Sequence, residues 1–206
     1  MKRTIEEHAA RFDQMASSYD ANDRPIYSAC ANRVIEAARP AETDRVLDIG
    51  TGTGAIAIAL AADAEEVVGR DISSGMLAKA KQKAAAGGID NVGFDTGRFC
   101  DPQVEGDVDI VTSNYALHHL SDSKKHDAIS NIASFQPKRF VLGDLMFFEA
   151  PETEEPDYDP AVDDPATVGT LVESITSVGF EITSVERMSD QAGVIVSAEP
   201  REGWSS

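Results

Sequence analysis

Two carboxylates bracket a glycine-rich turn in this chain, and together they restrict what the turn can bind. Asp48 lies in the apolar run Val46-Leu47-Asp48-Ile49, which leads into Gly50-Thr51-Gly52-Thr53-Gly54, and Asp71 closes a second run, Val67-Val68-Gly69-Arg70-Asp71. Glycines adopt positive φ and let a ligand lie against bare backbone, and the helix start that follows offers unpaired N–H groups to a carboxylate or phosphate. Asp48 narrows the choice. A carboxylate there repels a pyrophosphate and attracts an ammonium group, so the turn suits a ligand carrying both charges, such as an amino acid moiety. Asp71 stands at about the distance where dinucleotide folds place a ribose-binding acid. His118 and His119 are candidate general bases, because imidazole titrates near physiological pH. Of the two, His118 is favoured.

Placing these groups together requires strands whose carboxyl ends converge. The β-favouring run at 46–49 is followed by an Ala-rich helix former over 55–62. A helix over 73–86 ends at Gly87-Gly88 and is followed by strands over 91–95 and 108–113, a helix over 122–135 and a strand over 139–144. Strands alternating with helices demand a parallel sheet with crossovers on both faces. The end differs: 179–187 and 192–198 are strand-like with a short turn between them, which permits an antiparallel hairpin but no helix. Residues 1–40 read as a helical cap on the same domain, with Ile5, Phe12, Met15 and Tyr19 on one face and Ile26, Tyr27, Cys30, Val34 and Ile35 on another. The core would then be 41–198, and 199–206 a frayed tail. The stretch 149–164, rich in acids and proline and without a base, reads as a solvated loop, with Met146, Phe147, Phe148 and Tyr158 lining a pocket or lid at its edge.

The ordered motifs resemble the class I S-adenosylmethionine-dependent methyltransferases over roughly residues 10–198. Asp48, Gly50, Gly52 and Gly54 match the family's Asp-x-Gly-x-Gly-x-Gly, Asp71 matches its second motif, and 109–120 look like its fourth strand and following loop. The resemblance implies an α/β, Rossmann-like, seven-stranded and mostly parallel sheet closed by the C-terminal hairpin. It implies S-adenosyl-L-methionine as cofactor, with Gly50, Thr51, Gly52 and Gly54 in the turn against its methionine portion and Asp48 holding its amino group directly or through water. Asp71 would accept from both ribose hydroxyls, and Ile72 and Met76 would line the adenine. Where the family commonly places an acid after its third strand this chain has Arg98, so Asp101 would serve from a shifted position, with Phe99 packing on the adenine. Asn114 would touch the methionine end. The opening 11–20 is similar to the small-molecule, type 11-like branch, where it covers the cofactor, and Tyr19 would reach the methionine carboxylate. Ser113-Asn114-Tyr115-Ala116 departs from the Asn/Asp-Pro-Pro-aromatic motif of many amino-group methyltransferases, which points away from nucleobase or glutamine nitrogen.

The rest of the composition sets bounds. At 206 residues the chain fits one domain. Thirty-six acids against 18 bases give a net charge of −18, a field that repels nucleic acid and suits a high-salt, halophilic cytoplasm. No apolar run is long enough to insert in a membrane, and the first residues lack a signal peptide's apolar segment, so a cytoplasmic protein is expected, as monomer or homodimer. Two cysteines make no disulfide framework, and no Cys/His cluster has zinc spacing. The histidine pair lacks in sequence the partners a catalytic metal would need, so no metal is expected, and His8 and His126 read as surface residues. The favoured function is methyl transfer to a small-molecule acceptor. Its rivals are a cofactor-binding module or regulatory subunit without turnover and an NAD(P)-dependent oxidoreductase, since Gly50-x-Gly52-x-x-Ala55 with Asp71 partly satisfies the dinucleotide fingerprint.

Overall fold

The computed structural model describes residues 4–21, 24–149, 158–160 and 162–198. Parallel strands β1 (Arg45–Ile49), β2 (Glu66–Asp71), β3 (Val92–Thr96), β4 (Ile110–Asn114) and β5 (Arg139–Phe147) form its centre, with a two-residue β6 (Ala166–Thr167) beside the end of β5 and a hairpin of β7 (Glu181–Arg187) and β8 (Ala192–Ala198). The order across the main sheet is β3-β2-β1-β4-β5-β8-β7, and β8 is antiparallel to both its neighbours. A nicotinamide-binding Rossmann sheet would continue with parallel strands here.

Why the sheet is covered on both sides is written in its strands. Val46, Val67, Ile110, Val141 and Val194 join the core under α2 (Pro25–Ala38), α3 (Ala55–Leu60) and α4 (Ser74–Gly87). Their chain neighbours Leu47, Val68, Val111, Phe140 and Ile195 join the opposite core, under α5 (Asp122–Ser134) and α6 (Val168–Ser177). Successive residues serve opposite layers, as the period of an extended chain requires. Each such side chain contributes about 1.5–3 kcal/mol on burial, which lets the sheet tolerate a buried carboxylate among them.

Three elements depart from the sequence reading. The strand expected over 139–144 runs on to Phe147, because β8 pairs with Leu145 and β6 with Met146 and Phe147. Met146 is thereby buried in the core, Phe147 packs on Tyr158, and Phe148 lies against Gly193, so the pocket or lid expected of these four is not what they form. The N-terminal helices also divide the work expected of one cap. α2 packs on β4, β5, β8 and α3 as a core helix, and α1 (Ile5–Met15) rests on α4. Of the acidic stretch, 150–157 and 161 lie outside the described residues, whereas Asp163 and Asp164 at its end are docked rather than solvated: the Asp164 N–H donates to the His118 carbonyl at 2.7 Å. Among the described residues no helix is long and apolar enough to cross a membrane.

Candidate active site

The carboxyl ends of β1, β2 and β4 open into a cavity of about 580 Å³, within the range of roughly 300–1,000 Å³ usual for small-molecule sites. Gly50 and Gly52 form one wall in the left-handed conformation, at φ 74° and 55°. A Cβ on Gly50 would collide with Ala116, while at Gly52 nothing lies within 4 Å, so its backbone is bare toward the cavity. Gly54 has a different task. It is outside the wall, and a Cβ there would come within 2.8 Å of Phe94 and 2.9 Å of Ala80, so it permits close packing of α3 on its neighbours. The turn is cross-tied to the next strand: the Gly52 N–H donates to Asp71 Oδ2 at 2.8 Å and the Ser73 N–H to Oδ1 at 2.9 Å. Burial raises the Asp71 carboxyl above its ordinary range, opposed by those same N–H groups. Ile72 and Met76 follow it into the wall, which Phe99 and Asn114 also line.

Asp48 lies one layer behind. It is 1% exposed, and Thr112 donates its hydroxyl to Oδ1 at 2.7 Å. Oδ2 has no protein hydrogen-bond partner, and neither do the hydroxyl of Ser113 and the amide atoms of Asn114. Buried polar groups are ordinarily paired, so this cluster at the ends of β1 and β4 fits the ammonium and carboxylate of an amino acid moiety. Burial pushes Asp48 up to about 6, against the hydroxyls of Thr51 and Thr112 and with help from the Asp71 charge. Thr51 thus sits beside Asp48 and outside the cavity wall.

The N-terminal segment is clasped over this turn by two acids. Asp13 Oδ1 accepts from the Ser73 hydroxyl and the Gly75 N–H, both at 2.7 Å, fastening α1 to the start of α4. Asp20, in the turn Tyr19–Ala21, accepts from the Thr53 hydroxyl at 2.6 Å and from Lys83 at 3.0 Å. Tyr19 and Tyr27 enter the wall, and the Arg24 guanidinium lies 4.1 Å from the centroid of each ring. Arg24 itself does not line the cavity, but its charge is stacked on two rings that do.

The histidines reverse the expected order. His118 is 4% exposed and absent from the wall; its Nδ1 meets Asp144 Oδ1 and its backbone N–H donates to Oδ2 at 2.9 Å. The ring that lines the cavity is His119, beside Phe12 and His8. Burial, then the neighbouring His118, hold His119 down to about 4 despite the Asp163 carboxylate, so its imidazole is neutral at neutral pH. His8, expected on the surface, is buried.

Comparison with known proteins identifies the family. The methyltransferase-domain family matches residues 46–136, from β1 to just beyond α5. An uncharacterized methyltransferase of Bacillus pumilus is 30% identical over an alignment of 221 positions, gaps included, covering 95% of this chain and 99% of its own. The chain belongs to the S-adenosylmethionine-dependent methyltransferase family. The uncharacterized methyltransferase YcgJ of Bacillus subtilis is 35% identical over 125 residues, 59% of this chain but about half (49%) of YcgJ. Among solved structures, the complex of DhpI with SAH superposes with a TM-score of 0.75 at 22% identity, covering 96% of this chain and 98% of that one, and shows the fold alone.

As a methyltransferase the chain brings Tyr19, Gly50, Gly52, Asp71, Ile72, Met76, Phe99 and Asn114 to one cavity, with Asp48 and Thr51 behind them. Asp101 is not among them. It is exposed, bridged through its backbone to Arg98, and lines a neighbouring cleft that shares Ile72, Gly97 and Arg98 with the main wall. Arg98 enters the main wall instead. Sequence reasoning missed Arg24, Tyr27, Tyr115, Asp144 and Asp163. Tyr115 carried a usable signal, since it follows Asn114 directly at the expected end of the strand; the structure gives it φ 53°.

Proposed function

We propose that this methyltransferase acts on a small acceptor with an apolar or aromatic body, bound beside the cofactor under α1. The observation that carries this reading is the cavity itself: beyond Asp71 and Gly52 it continues into a mostly apolar end bounded by Phe12, Ala116, His119 and Leu120, enclosed by the chain's own N-terminal helix. S-adenosyl-L-methionine supplies a methyl group on an already activated leaving group. The residues around it then have binding, orientation and water exclusion to perform, which can provide much of the rate of an in-line displacement. In this reading Asp71 receives the ribose hydroxyls, Ile72, Met76 and Phe99 flank the adenine, Gly50 and Gly52 give close approach, and Asp48 with Asn114 balances the ammonium group. Tyr19, with the Arg24 charge stacked on its ring, takes the carboxylate.

His119, neutral and held down to about 4, is a weak proton acceptor, so acceptors that need little deprotonation are favoured: acidic phenols, carboxylates or activated carbons. The acid excess suits work in a high-salt cytoplasm, where a Debye length of about 3 Å at 1 M screens the protein's own repulsion. Such a surface argues against a nucleic acid substrate, and a monomer or homodimer would leave the cavity complete. Incubation with S-adenosylmethionine in molar salt and panels of phenols, carboxylic acids and amines, followed by chromatography of S-adenosylhomocysteine, tests the proposal. Acceptor-dependent release with the phenols or carboxylic acids is expected. Cofactor binding with no release from any panel or from a cell extract would overturn it.

A further inference from the structure

Behind the acceptor end of the cavity, four side chains from three separate segments converge. His118 and His119 come from the short turn after β4, Asp144 from β5, and Asp163 from the end of the acidic stretch. One donor atom each from His118, His119 and Asp163 lies within 4.8 Å of the others. Asp163 Oδ1 is 2.9 Å from His119 Nδ1 and 3.9 Å from His118 Nε2. Four ligand atoms arranged tetrahedrally at about 2.1 Å from a zinc ion are about 3.4 Å apart, a value these two distances bracket.

We propose that His118 Nε2, His119 Nδ1 and Asp163 Oδ1 form a binding site for a zinc-like divalent ion. Three features separate it from a chance contact. His119 Nδ1 and Asp163 Oδ1 are both buried, lie 2.9 Å apart and have no other hydrogen-bond partner, so an ion would take the place of the single proton they can share. Each ligand is also braced from behind. Asp144 holds His118 Nδ1, leaving Nε2 for the ion in the carboxylate–histidine–metal pattern of protein zinc sites. The Asp159 N–H donates to Asp163 Oδ2 at 2.9 Å, leaving Oδ1 on the histidine side. Finally, Lys125 of α5, only 2% exposed, donates to the Asp164 carbonyl and to Asp122 at 2.9 Å, and the Asp164 N–H donates to the His118 carbonyl at 2.7 Å, so the Asp163 segment is tied both to α5 and to the histidine turn. Three protein ligands leave a coordination position open, and His119 borders the cavity, so an oxygen or sulfur donor from a small molecule can occupy it.

The site does not depend on the assignment of the acceptor or the cofactor, and it is tested by binding. The full chain is stripped with a chelator, then titrated with Zn²⁺ against a chromophoric competitor, with metal content measured after gel filtration and the Co²⁺ form examined for tetrahedral absorption bands. One ion per chain is expected. Asp163→Asn, which keeps the side-chain size, and His119→Ala are each expected to weaken binding at least about a hundredfold, and Asp144→Asn about 10–100-fold. His126→Ala and Cys100→Ser, both at exposed positions, should leave it unchanged, and Asp71→Ala should lose cofactor affinity while keeping the ion. Retention of well under one ion per chain, or full zinc affinity in Asp163→Asn with native circular dichroism, would overturn the proposal.

Discussion

Asp71→Ala is expected to weaken S-adenosylmethionine binding by about 10²–10³-fold while leaving the sheet folded. Two losses combine. Each hydrogen bond from a neutral hydroxyl to a carboxylate contributes about 1.5–3 kcal/mol, and the ribose has two to give. The substitution also strands the Gly52 and Ser73 N–H groups that Asp71 now accepts, loosening the turn. About 3–4 kcal/mol in total corresponds to that range of affinity. Calorimetric titration of the variant checks it, with Asp101→Ala as the comparison. That second variant should bind within about threefold of the wild type, because Asp101 lies outside the cavity. Equal losses in the two variants would contradict the site as described.

The second large effect separates binding from stability. Asp48→Asn should weaken cofactor binding by about tenfold yet make the free protein more stable at neutral pH. Burial raises Asp48 from 3.8 to about 6, and a group raised on folding contributes stability that is fully present below its unfolded value and lost as pH rises through the folded one. Above about pH 6 the ionised carboxylate therefore costs the fold roughly 3 kcal/mol relative to a neutral group. Asparagine removes that cost, so denaturant unfolding at pH 7.5 should show the variant ahead by up to that amount. The advantage should shrink between pH 6 and 4 and vanish near pH 4. A variant less stable than the wild type at pH 7.5 would show that the Asp48 carboxylate supports the fold rather than the ligand. The stability given up at this one position is the expected signature of a binding residue.

Features written in local chemistry were legible before the fold was known. The glycine turn, its two acids and the closing hairpin each depend on residues adjacent in sequence, and they appear where the sequence put them. Fold order followed, since alternating strands and helices leave few ways to bury both faces of a sheet. Features that depend on contacts between distant segments were not legible. Asp163 reads as one acid among many in a polar stretch, and only the Lys125 contact and the Asp164 N–H fix it against the histidines. Asp144 looks like a strand-ending residue because Leu145 to Phe147 gain their pairing from β6 and β8, far along the chain. The choice between His118 and His119 was undecidable by type. It turned on which ring the β5 carboxylate captures, a matter of packing across the sheet rather than spacing.

Titration of the wild-type protein with S-adenosylmethionine and S-adenosylhomocysteine in molar salt, with NAD as the control, tests the central claim most directly. One-to-one binding of both sulfur compounds and none of NAD is the predicted result. Tight binding of NAD with no heat from either sulfur compound would contradict it.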